Sequence, residues 1–298
     1  MCARTWEVLA IRGSPALGPQ CCTRRARGLI ERRRPAQTGL EESRASENGH
    51  AERFKGRAED YSKNRPRYPR KLLRILENEL EFRKSDTVAD IGSGTGILSE
   101  LFLRNGNLVY CVEPNRDMRR VAEERLKRYA PRFVSVDGTA ESTRLEDRSV
   151  DLITVGQALH WFDLEKARVE FARILRKEGY VSIVYNRRRK EGRVEEAYGR
   201  VTRRFGKNRA AIPKIDDTYV AAFLKNKGFK KFVMPNSQSL GLRGMLGRLA
   251  SASYMPPQGA REWIRIEKEV TRIFDEHAEG GILTLRYNTV MYLGRVRL

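Results

Sequence analysis

The sequence predicts a doubly wound α/β fold, in which a mostly parallel sheet carries helices on both faces. The strongest observation is the stretch 88–98, VADIGSGTGIL, where a short apolar run meets three glycines at alternate positions and then a helical pattern. A second apolar run, at 108–112, ends in Glu113, about 20 residues after the first glycine, a separation typical of such folds. Short apolar runs then alternate with helical patterns up to residue 185, which indicates successive βα units.

The glycine-rich turn after the first strand predicts a ligand site. Glycine allows positive φ and a close approach of a ligand to the backbone, and the following helix offers unpaired N–H groups. A dinucleotide site would need the spacing G-x-G-x-x-G, whereas this turn has G-x-G-x-G with Asp90 two residues before it. A carboxylate at this point would repel a pyrophosphate but would suit an ammonium group. We therefore expect an amino acid moiety joined to a nucleoside, with Glu113 placed to bind ribose hydroxyls.

The other elements of the core are predicted in chain order. Residues 1–50 are basic, contain scattered Gly, Pro and Ser and show no sustained period, so we expect a disordered basic tail, with a targeting segment as the alternative. Residues 51–186 are expected to form one core domain. Its further elements are a leucine-striped helix after Pro69, a helix ending at Asn105, a helix capped by Asn115, strands at 133–136, 150–155 and 180–185, and a helix from Asp163 to Gly179.

Residues 187–298 are predicted to supply a substrate lid and the strands that complete the sheet. The pattern there is less regular than in the core. Helical patterns cover 194–205, 217–226 and 260–274, and strand candidates lie at 229–233 and 283–296.

The composition excludes some classes of protein. The chain has 298 residues, of which 40% are hydrophobic, and a formal net charge of +21. No stretch approaches the roughly 18 uninterrupted apolar residues that a spanning helix needs, so no membrane span is predicted. The four cysteines lack metal-ligand spacing and favour a reduced, cytoplasmic setting without a metal site. Between residues 187 and 209, ten Lys or Arg against three Glu form a patch that could bind nucleic acid, or could be a solvated face.

Three motifs together resemble those of a known enzyme family. They are the segment 90–96, the triplet Glu113-Pro114-Asn115, and the segment 156–163, GQALHWFD. They resemble the motifs of class I S-adenosylmethionine-dependent methyltransferases, and in particular those of the methyltransferase type 11 group that includes trans-aconitate methyltransferase-like proteins. The resemblance implies a Rossmann-like, seven-stranded, mostly parallel sheet with an antiparallel C-terminal edge and a helical lid insertion.

The resemblance also implies S-adenosyl-L-methionine as the cofactor and direct SN2 transfer of its methyl group. The implied contacts come from the glycine turn, the end of the second strand, the adenine loop after the third strand, the loop after the fourth strand and the segment that precedes the core. Packing of the Tyr61 ring and helix capping by Arg65 are alternative roles for those two residues. The implied cofactor residues are Asp90, Gly92, Ser93, Gly94, Gly96, Glu113, Pro114, Asn115, Thr139, Ala140, Glu141, Gln157, Tyr61 and Arg65.

The substrate side is predicted at the carboxyl ends of the fourth and fifth strands, where ligands of open α/β sheets bind. His160 could orient the substrate or accept a proton as the catalytic residue, and a structural histidine is the alternative. Trp161 and Phe162 follow it in the same loop and could line the transfer site. Arg187, after the fifth strand, could attract an anion.

The fourth-strand motif bears on the methyl acceptor. Nucleic-acid enzymes that methylate amino groups usually carry Asn/Asp-Pro-Pro-aromatic there, whereas this chain has Gly-Gln-Ala-Leu-His-Trp. We therefore expect a small molecule with an oxygen nucleophile, such as a carboxylate or a hydroxyl. Two alternatives stay open. A tRNA or rRNA methyltransferase is supported by the net charge, and a noncatalytic cofactor-binding protein is supported by the N-terminal tail and by Thr139, where relatives often carry Asp.

Overall fold

The computed structural model describes residues 57–207, 213–225 and 228–298. The predicted basic tail at 1–50 lies outside the described residues, as does the end of the helix predicted at 217–226. The domain boundary predicted after residue 186 falls inside a strand, since the fifth strand runs from Leu175 to Arg188.

Seven strands form one mixed sheet, which confirms the predicted fold class. The order across the sheet is β3-β2-β1-β4-β5-β7-β6, where β1 to β5 are parallel and β7 is antiparallel to both of its neighbours. The strands are β1 Thr87–Ile91, β2 Leu108–Val112, β3 Phe133–Val136, β4 Val150–Gly156, β5 Leu175–Arg188, β6 Lys230–Leu240 and β7 Leu283–Gly294.

Helices cover the sheet and extend beyond it. Two single turns of 3-10 helix lie at Lys127–Tyr129 and Leu159–Trp161. None of the helices in the described ranges is long and apolar enough to cross a membrane. The α-helices are α1 Ala58–Asn64, α2 Lys71–Leu80, α3 Ser99–Asn105, α4 Arg116–Leu126, α5 Leu164–Ile174, α6 Arg193–Phe205, α7 Asp217–Leu224, α8 Leu242–Ala250 and α9 Arg261–His277.

Strand β1 is buried along its whole length because both of its faces are covered. Alternate side chains of a strand point to opposite faces. Accordingly, Val88 packs with Leu76 of α2 in one apolar layer, and Ala89 packs with Phe171 of α5 in the other. The glycine turn follows directly at the carboxyl end of this strand, so the most buried part of the sheet positions the predicted ligand site.

One predicted boundary is wrong. The helix that begins after Asp163 ends at Ile174, and Gly179 lies inside β5 instead of ending the helix. The register between β4 and β5 shifts there, because Val150 pairs with Leu175 and Leu152 with Tyr180. A Cβ atom at Gly179 would lie 2.7 Å from Leu175 Cδ2, 3.0 Å from the carbonyl oxygen of Arg176 and 3.1 Å from that of Asp151, so glycine suits a crowded point where β5 is irregular and lies close to β4.

Candidate functional site

The turn between β1 and α3 places three glycines in the left-handed region, with φ of 67° at Gly92, 57° at Gly94 and 72° at Gly96. A Cβ atom at Gly92 would lie 2.7 Å from the Cβ of Ala158, and one at Gly96 would lie 2.5 Å from Leu126 Cδ1. A Cβ atom at Gly94 would meet nothing within 4 Å. Two of the glycines therefore allow close packing, whereas Gly94 leaves open space against the backbone that a ligand can fill.

Asp90 is the last acidic side chain before this turn, and it is only 1% exposed. Its Oδ2 accepts a hydrogen bond of 2.5 Å from the Ser99 hydroxyl, while Oδ1 is buried and has no hydrogen-bond partner within the described part of the chain. Burial raises the pKa of Asp90 to about 7, although the bonds from Ser99 act in the opposite direction. An unpaired buried carboxylate oxygen fits a cationic ligand group such as an ammonium.

The Glu113 carboxylate links the glycine turn to the end of β2 through two hydrogen bonds. Its Oε2 accepts the N–H of Gly94 at 2.9 Å, and its Oε1 accepts the N–H of Asn115 at 2.9 Å. Burial raises the pKa of Glu113 despite these two bonds. Each carboxylate oxygen can accept a second hydrogen bond, so the ribose role stays chemically possible. Asn115 itself accepts the N–H of Met118 at 3.0 Å, which confirms the predicted helix cap.

A narrow pocket of about 40 Å³ lies beside the glycine turn. It brings together seven of the predicted cofactor residues. It also contains six side chains that the sequence analysis did not single out as ligand contacts, those of Pro66, Tyr68, Ile97, Leu98, Asn186 and Arg248. The predicted residues in its lining are Tyr61, Arg65, Asp90, Gly92, Ser93, Gly94 and Gln157.

The other predicted cofactor residues lie outside this pocket. Thr139 Oγ1 accepts the N–H groups of Glu141 at 3.2 Å and Ser142 at 3.1 Å. Glu141 Oε1 accepts the N–H of Asp163 at 2.8 Å and so ties the adenine loop to the start of α5. These side chains stabilise their own loop, and their contact with a cofactor stays a prediction. The set outside the pocket is Gly96, Glu113, Pro114, Asn115, Thr139, Ala140 and Glu141.

A larger chamber of about 360 Å³ adjoins the narrow pocket. The two share Tyr61, Arg65 and Gln157 in their linings. Phe162, predicted beside the substrate, does not line the chamber and packs edge-on against Phe171 with ring centroids 6.3 Å apart. The remaining lining residues are His160, Trp161, Tyr185, Arg187, Pro213, Lys214, Ile215, Ser253 and Tyr254.

His160 lies in the chamber wall on the short helical turn after β4. Its Nδ1 is 3.3 Å from the hydroxyl oxygen of Tyr185, and its ring is 4.4 Å from that of Trp161 between centroids. Burial raises the pKa of Tyr185 well above its ordinary value, so this phenol stays protonated at neutral pH. The neighbouring Gln157 has a φ of 62° and donates from Nε2 to the carbonyl oxygen of Asn186 at 3.2 Å, which ties the loop to β5.

Arg187 reaches the chamber from the end of β5. Its guanidinium donates to the Tyr292 hydroxyl at 3.0 Å and to the carbonyl oxygen of Ile215. The Tyr292 hydroxyl donates in turn to Asp217 Oδ1 at 3.0 Å. Arg187 thus connects the sheet to the chamber wall at Ile215, and its predicted contact with an anionic substrate stays a prediction.

Comparison with known proteins shows what a part of the chain resembles. Residues 89–183 match the model of a methyltransferase domain family. An uncharacterised methyltransferase of Mycobacterium tuberculosis is 38% identical over 128 residues, which are 43% of this chain and 49% of that protein. The chain thus spans about half the length of this relative. An uncharacterised methyltransferase-like protein of Schizosaccharomyces pombe is 26% identical over 249 residues, covering 80% of this chain and 93% of that protein.

Residues 89–183 are thus similar to a methyltransferase domain, and the relatives that match the chain are methyltransferases by name. A solved structure supports the fold. It is that of a candidate type II methyltransferase from Anaeromyxobacter dehalogenans, with a TM-score of 0.59 and 24% identity over 78% of this chain and 97% of that one. The finer resemblance to trans-aconitate methyltransferases stays a prediction.

Several residues of the candidate site were missed at the sequence level. Tyr185 and Asn186 lie at the carboxyl end of β5, and the rule that ligands bind at such ends could have found them. Arg248 lies on α8, outside the segment that matches the family model, and no local pattern marks it.

The basic patch predicted between residues 187 and 209 makes several contacts with other side chains and carbonyl groups of the same chain. Arg188 donates to the carbonyl oxygen of Glu195, and Arg204 pairs with Glu269. Lys207 lies 3.1 Å from Glu262. These contacts favour the solvated-face interpretation, and nucleic-acid binding by the patch stays a prediction.

Proposed function

We propose that the protein transfers the methyl group of S-adenosylmethionine to an oxygen atom of an anionic small molecule. One observation carries the proposal. The narrow pocket beside the glycine turn and the 360 Å³ chamber share Tyr61, Arg65 and Gln157, so a cofactor in the first would face an acceptor in the second. The match of residues 89–183 to a methyltransferase domain supports the cofactor, and the lining of the chamber supports the acceptor.

The residues around the turn fit the cofactor. Asp90 Oδ1, buried without a hydrogen-bond partner, suits the ammonium of its methionine end, and the open space at Gly94 lets a ligand lie against the backbone. Glu113 would bind the ribose with its remaining acceptor capacity. When bound, S-adenosylmethionine supplies a methyl group activated by the sulfonium charge and leaves as neutral S-adenosylhomocysteine.

The chamber suits an anionic acceptor of modest size. Its volume of about 360 Å³ lies at the lower end of the range for small-molecule sites. The lining contains three basic side chains, Arg65, Arg187 and Lys214, and no acidic one among the residues described. Trp161, Tyr185 and Tyr254 add aromatic surface against which a carbon skeleton can pack.

The protein's own part in the reaction is placement and proton transfer. Methyl transfer depends on holding the acceptor oxygen in line, and the aromatic and basic side chains of the chamber wall would do this. A carboxylate acceptor carries no proton to remove. A hydroxyl acceptor must lose one, and the His160 imidazole, oriented by Tyr185, is the group in the wall that would take it.

An RNA acceptor is the alternative, supported by the net charge of +21. The test offers radiolabelled S-adenosylmethionine with carboxylic acids, with alcohols and phenols, and with tRNA and rRNA. We expect label in a small carboxylic acid as a base-labile ester, or in a hydroxyl compound as a stable ether. Label in RNA that declines steeply with salt would overturn the small-molecule acceptor. Binding of the cofactor without transfer to any class would favour a noncatalytic protein.

A matched pair of lysine variants tests the chamber as the acceptor site. Lys214→Gln removes a charge from the lining, where the side chain is 85% exposed and lies 3.6 Å from Asp216, and should raise the KM of an anionic acceptor modestly. Lys207→Gln removes a charge whose side chain is 72% exposed and paired with Glu262 outside the chamber, and should leave that KM unchanged. Equal effects of the two variants would contradict a local role of the chamber.

A further inference from the structure

Helices α1 and α8 pack together as a cover beside the glycine turn. A Cβ atom at Gly247 would lie 2.1 Å from Asn64 Nδ2, so the two helices meet at this glycine. Arg57 donates to the carbonyl oxygens of Ala250 at 3.2 Å and Met255 at 3.1 Å, and Arg65 donates to that of Ser251 at 2.7 Å. Two guanidinium groups from the α1 region thus bind the carboxyl end of α8, where the helix dipole favours positive charge.

Arg248 projects from α8 into the narrow pocket. The residue is only 9% exposed, and it shares the pocket lining with Asp90 and Gly94. Its Nε and Nη1 are buried and donate to no atom in the described part of the chain, although its side chain bonds to Tyr287. Buried donors without acceptors are costly, and those of a charged group are the most costly. A buried guanidinium with two unpaired donor atoms is suited to bind an anion.

Arg65 lines the same pocket and, like Arg248, has a buried donor without an acceptor. Its Nε is also buried without a partner, and burial together with the nearby charge of Arg248 lowers the pKa of Arg65. Asp90 is the acidic side chain among the described residues of the lining, and its Oδ1 has no partner either. Both signs of charge are therefore present, and each retains unpaired atoms.

A ligand that matches these guanidinium groups and this carboxylate must carry both a negative and a positive charge, so it must be a zwitterion. A simple anion would pair with the guanidinium groups and leave Asp90 Oδ1 unpaired, whereas a simple cation would do the reverse. An α-amino acid group carries a carboxylate and an ammonium on one carbon and would satisfy both sides of the pocket at once.

We propose that Arg248, carried by the lid helix α8, binds together with Arg65 the α-carboxylate of the methionine end of S-adenosylmethionine. The inference rests on the proposed function, since it assumes that this cofactor occupies the pocket. Its consequence is that the cofactor site is completed by a residue outside the matched domain at 89–183. Cofactor binding would then stabilise the contact between α1 and α8 as well as fill the glycine turn.

The test is a thermodynamic cycle between one side chain and one ligand group. The full chain is titrated calorimetrically with S-adenosylmethionine and with its decarboxylated form, which keeps the sulfonium and the amine. For the wild type we expect the carboxylate to strengthen binding about 10- to 100-fold, the range for hydrogen bonds to charged groups. In Arg248→Gln that advantage should largely disappear, while affinity for the decarboxylated form is unchanged or improved.

Arg243→Gln is the matched control, because Arg243 lies exposed on the same helix and should affect neither ligand. Equal weakening of both ligands by Arg248→Gln, or no weakening of either, would overturn the inference. An intact affinity for S-adenosylmethionine with a raised KM for a carboxylate acceptor would overturn it too, because the anion would then belong to the acceptor. If the wild type binds neither adenosyl compound, the proposed function itself fails.

A second measurement does not depend on the folding of a variant. Hydrogen exchange of the wild-type chain reports on the amides of α8 directly. S-adenosylmethionine should slow exchange over Leu242–Ala250 more than the decarboxylated form does at equal occupancy of the site. Equal protection by both ligands would show that the carboxylate does not contact α8.

Discussion

The Ser99 hydroxyl donates a hydrogen bond of 2.5 Å to one carboxylate oxygen of Asp90, a residue that lines the narrow pocket, while the other oxygen is buried without a partner in the described part of the chain. Because the carboxylate is buried, its pKa rises to about 7, so the group is partly protonated in the ligand-free protein near neutral pH. A cationic ligand group would favour the ionised form. Ligand affinity and protonation of this residue are therefore linked.

The first prediction concerns pH. Since the ammonium of S-adenosylhomocysteine needs ionised Asp90, its affinity should rise about tenfold from about pH 6 to about pH 8 for a pKa of about 7. Calorimetry in two buffers of different ionisation enthalpy should show about one proton released at the lower pH. Asp90→Asn should bind more weakly and lose the pH dependence. A flat profile in the wild type would contradict the ammonium role of Asp90.

The second prediction compares two glycines of one turn. Gly94→Ala adds a methyl group into open space, so the fold should tolerate it at a cost of about 1 kcal/mol for positive φ, while cofactor binding is blocked. Gly96→Ala drives a methyl group against Leu126 and should lower the unfolding midpoint much more. Thermal unfolding and cofactor titration of both variants check this. A Gly94→Ala protein with full cofactor affinity would show that the ligand lies elsewhere.

The third prediction concerns Glu113. Glu113→Gln replaces one of two acceptor oxygens by an NH2 group, which would face the N–H of Gly94 or of Asn115. We expect a modest loss of stability and a loss of affinity for S-adenosylhomocysteine of about tenfold or more. The 2′-deoxy analogue of that ligand should lose less. If both ligands weaken equally, Glu113 acts through the turn and not through the ribose.

The fourth prediction separates chemistry from cofactor binding. Tyr185→Phe removes the hydroxyl 3.3 Å from His160 Nδ1, and His160→Asn removes the imidazole. With a hydroxyl acceptor, His160→Asn should lower kcat by about 100-fold and Tyr185→Phe by less, since Tyr185 is a positioning residue. Neither should change cofactor affinity. With a carboxylate acceptor, kcat should change little, and a large loss there would assign His160 to acceptor binding.

The core of the fold could be predicted because its signals are local. A buried parallel strand, a glycine turn and a helix follow one another within 88–105, and Glu113 ends the next strand. The rule that ligands bind at the carboxyl ends of strands then placed His160 in the chamber wall without any structural information.

The features that the sequence did not show depend on tertiary contacts instead of local patterns. The sequence around Gly179 is typical of a helix end, but this glycine lies at an irregular point of β5, crowded by Arg176 of its own strand and by Asp151 of β4. Phe162 packs edge-on against Phe171 and is absent from the lining of the chamber, and its predicted role beside the substrate stays a prediction. Arg248 enters the pocket only because α8 packs on α1. Contacts of this kind depend on tertiary packing and produce no periodic pattern in the sequence.

The position of β7 has a consequence for biosynthesis. Among the described strands β6 pairs with β7 alone, and β7 also covers the edge of β5. During translation, β1 to β5 and the glycine turn can therefore assemble before β6 has any partner in the sheet. Until β7 emerges, the edge of β5 is an uncovered row of hydrogen-bonding groups, the kind of surface that invites misassembly or chaperone capture. We therefore expect β1 to β5, with the glycine turn, to fold first, and β6 and β7 to pair with the edge of β5 last.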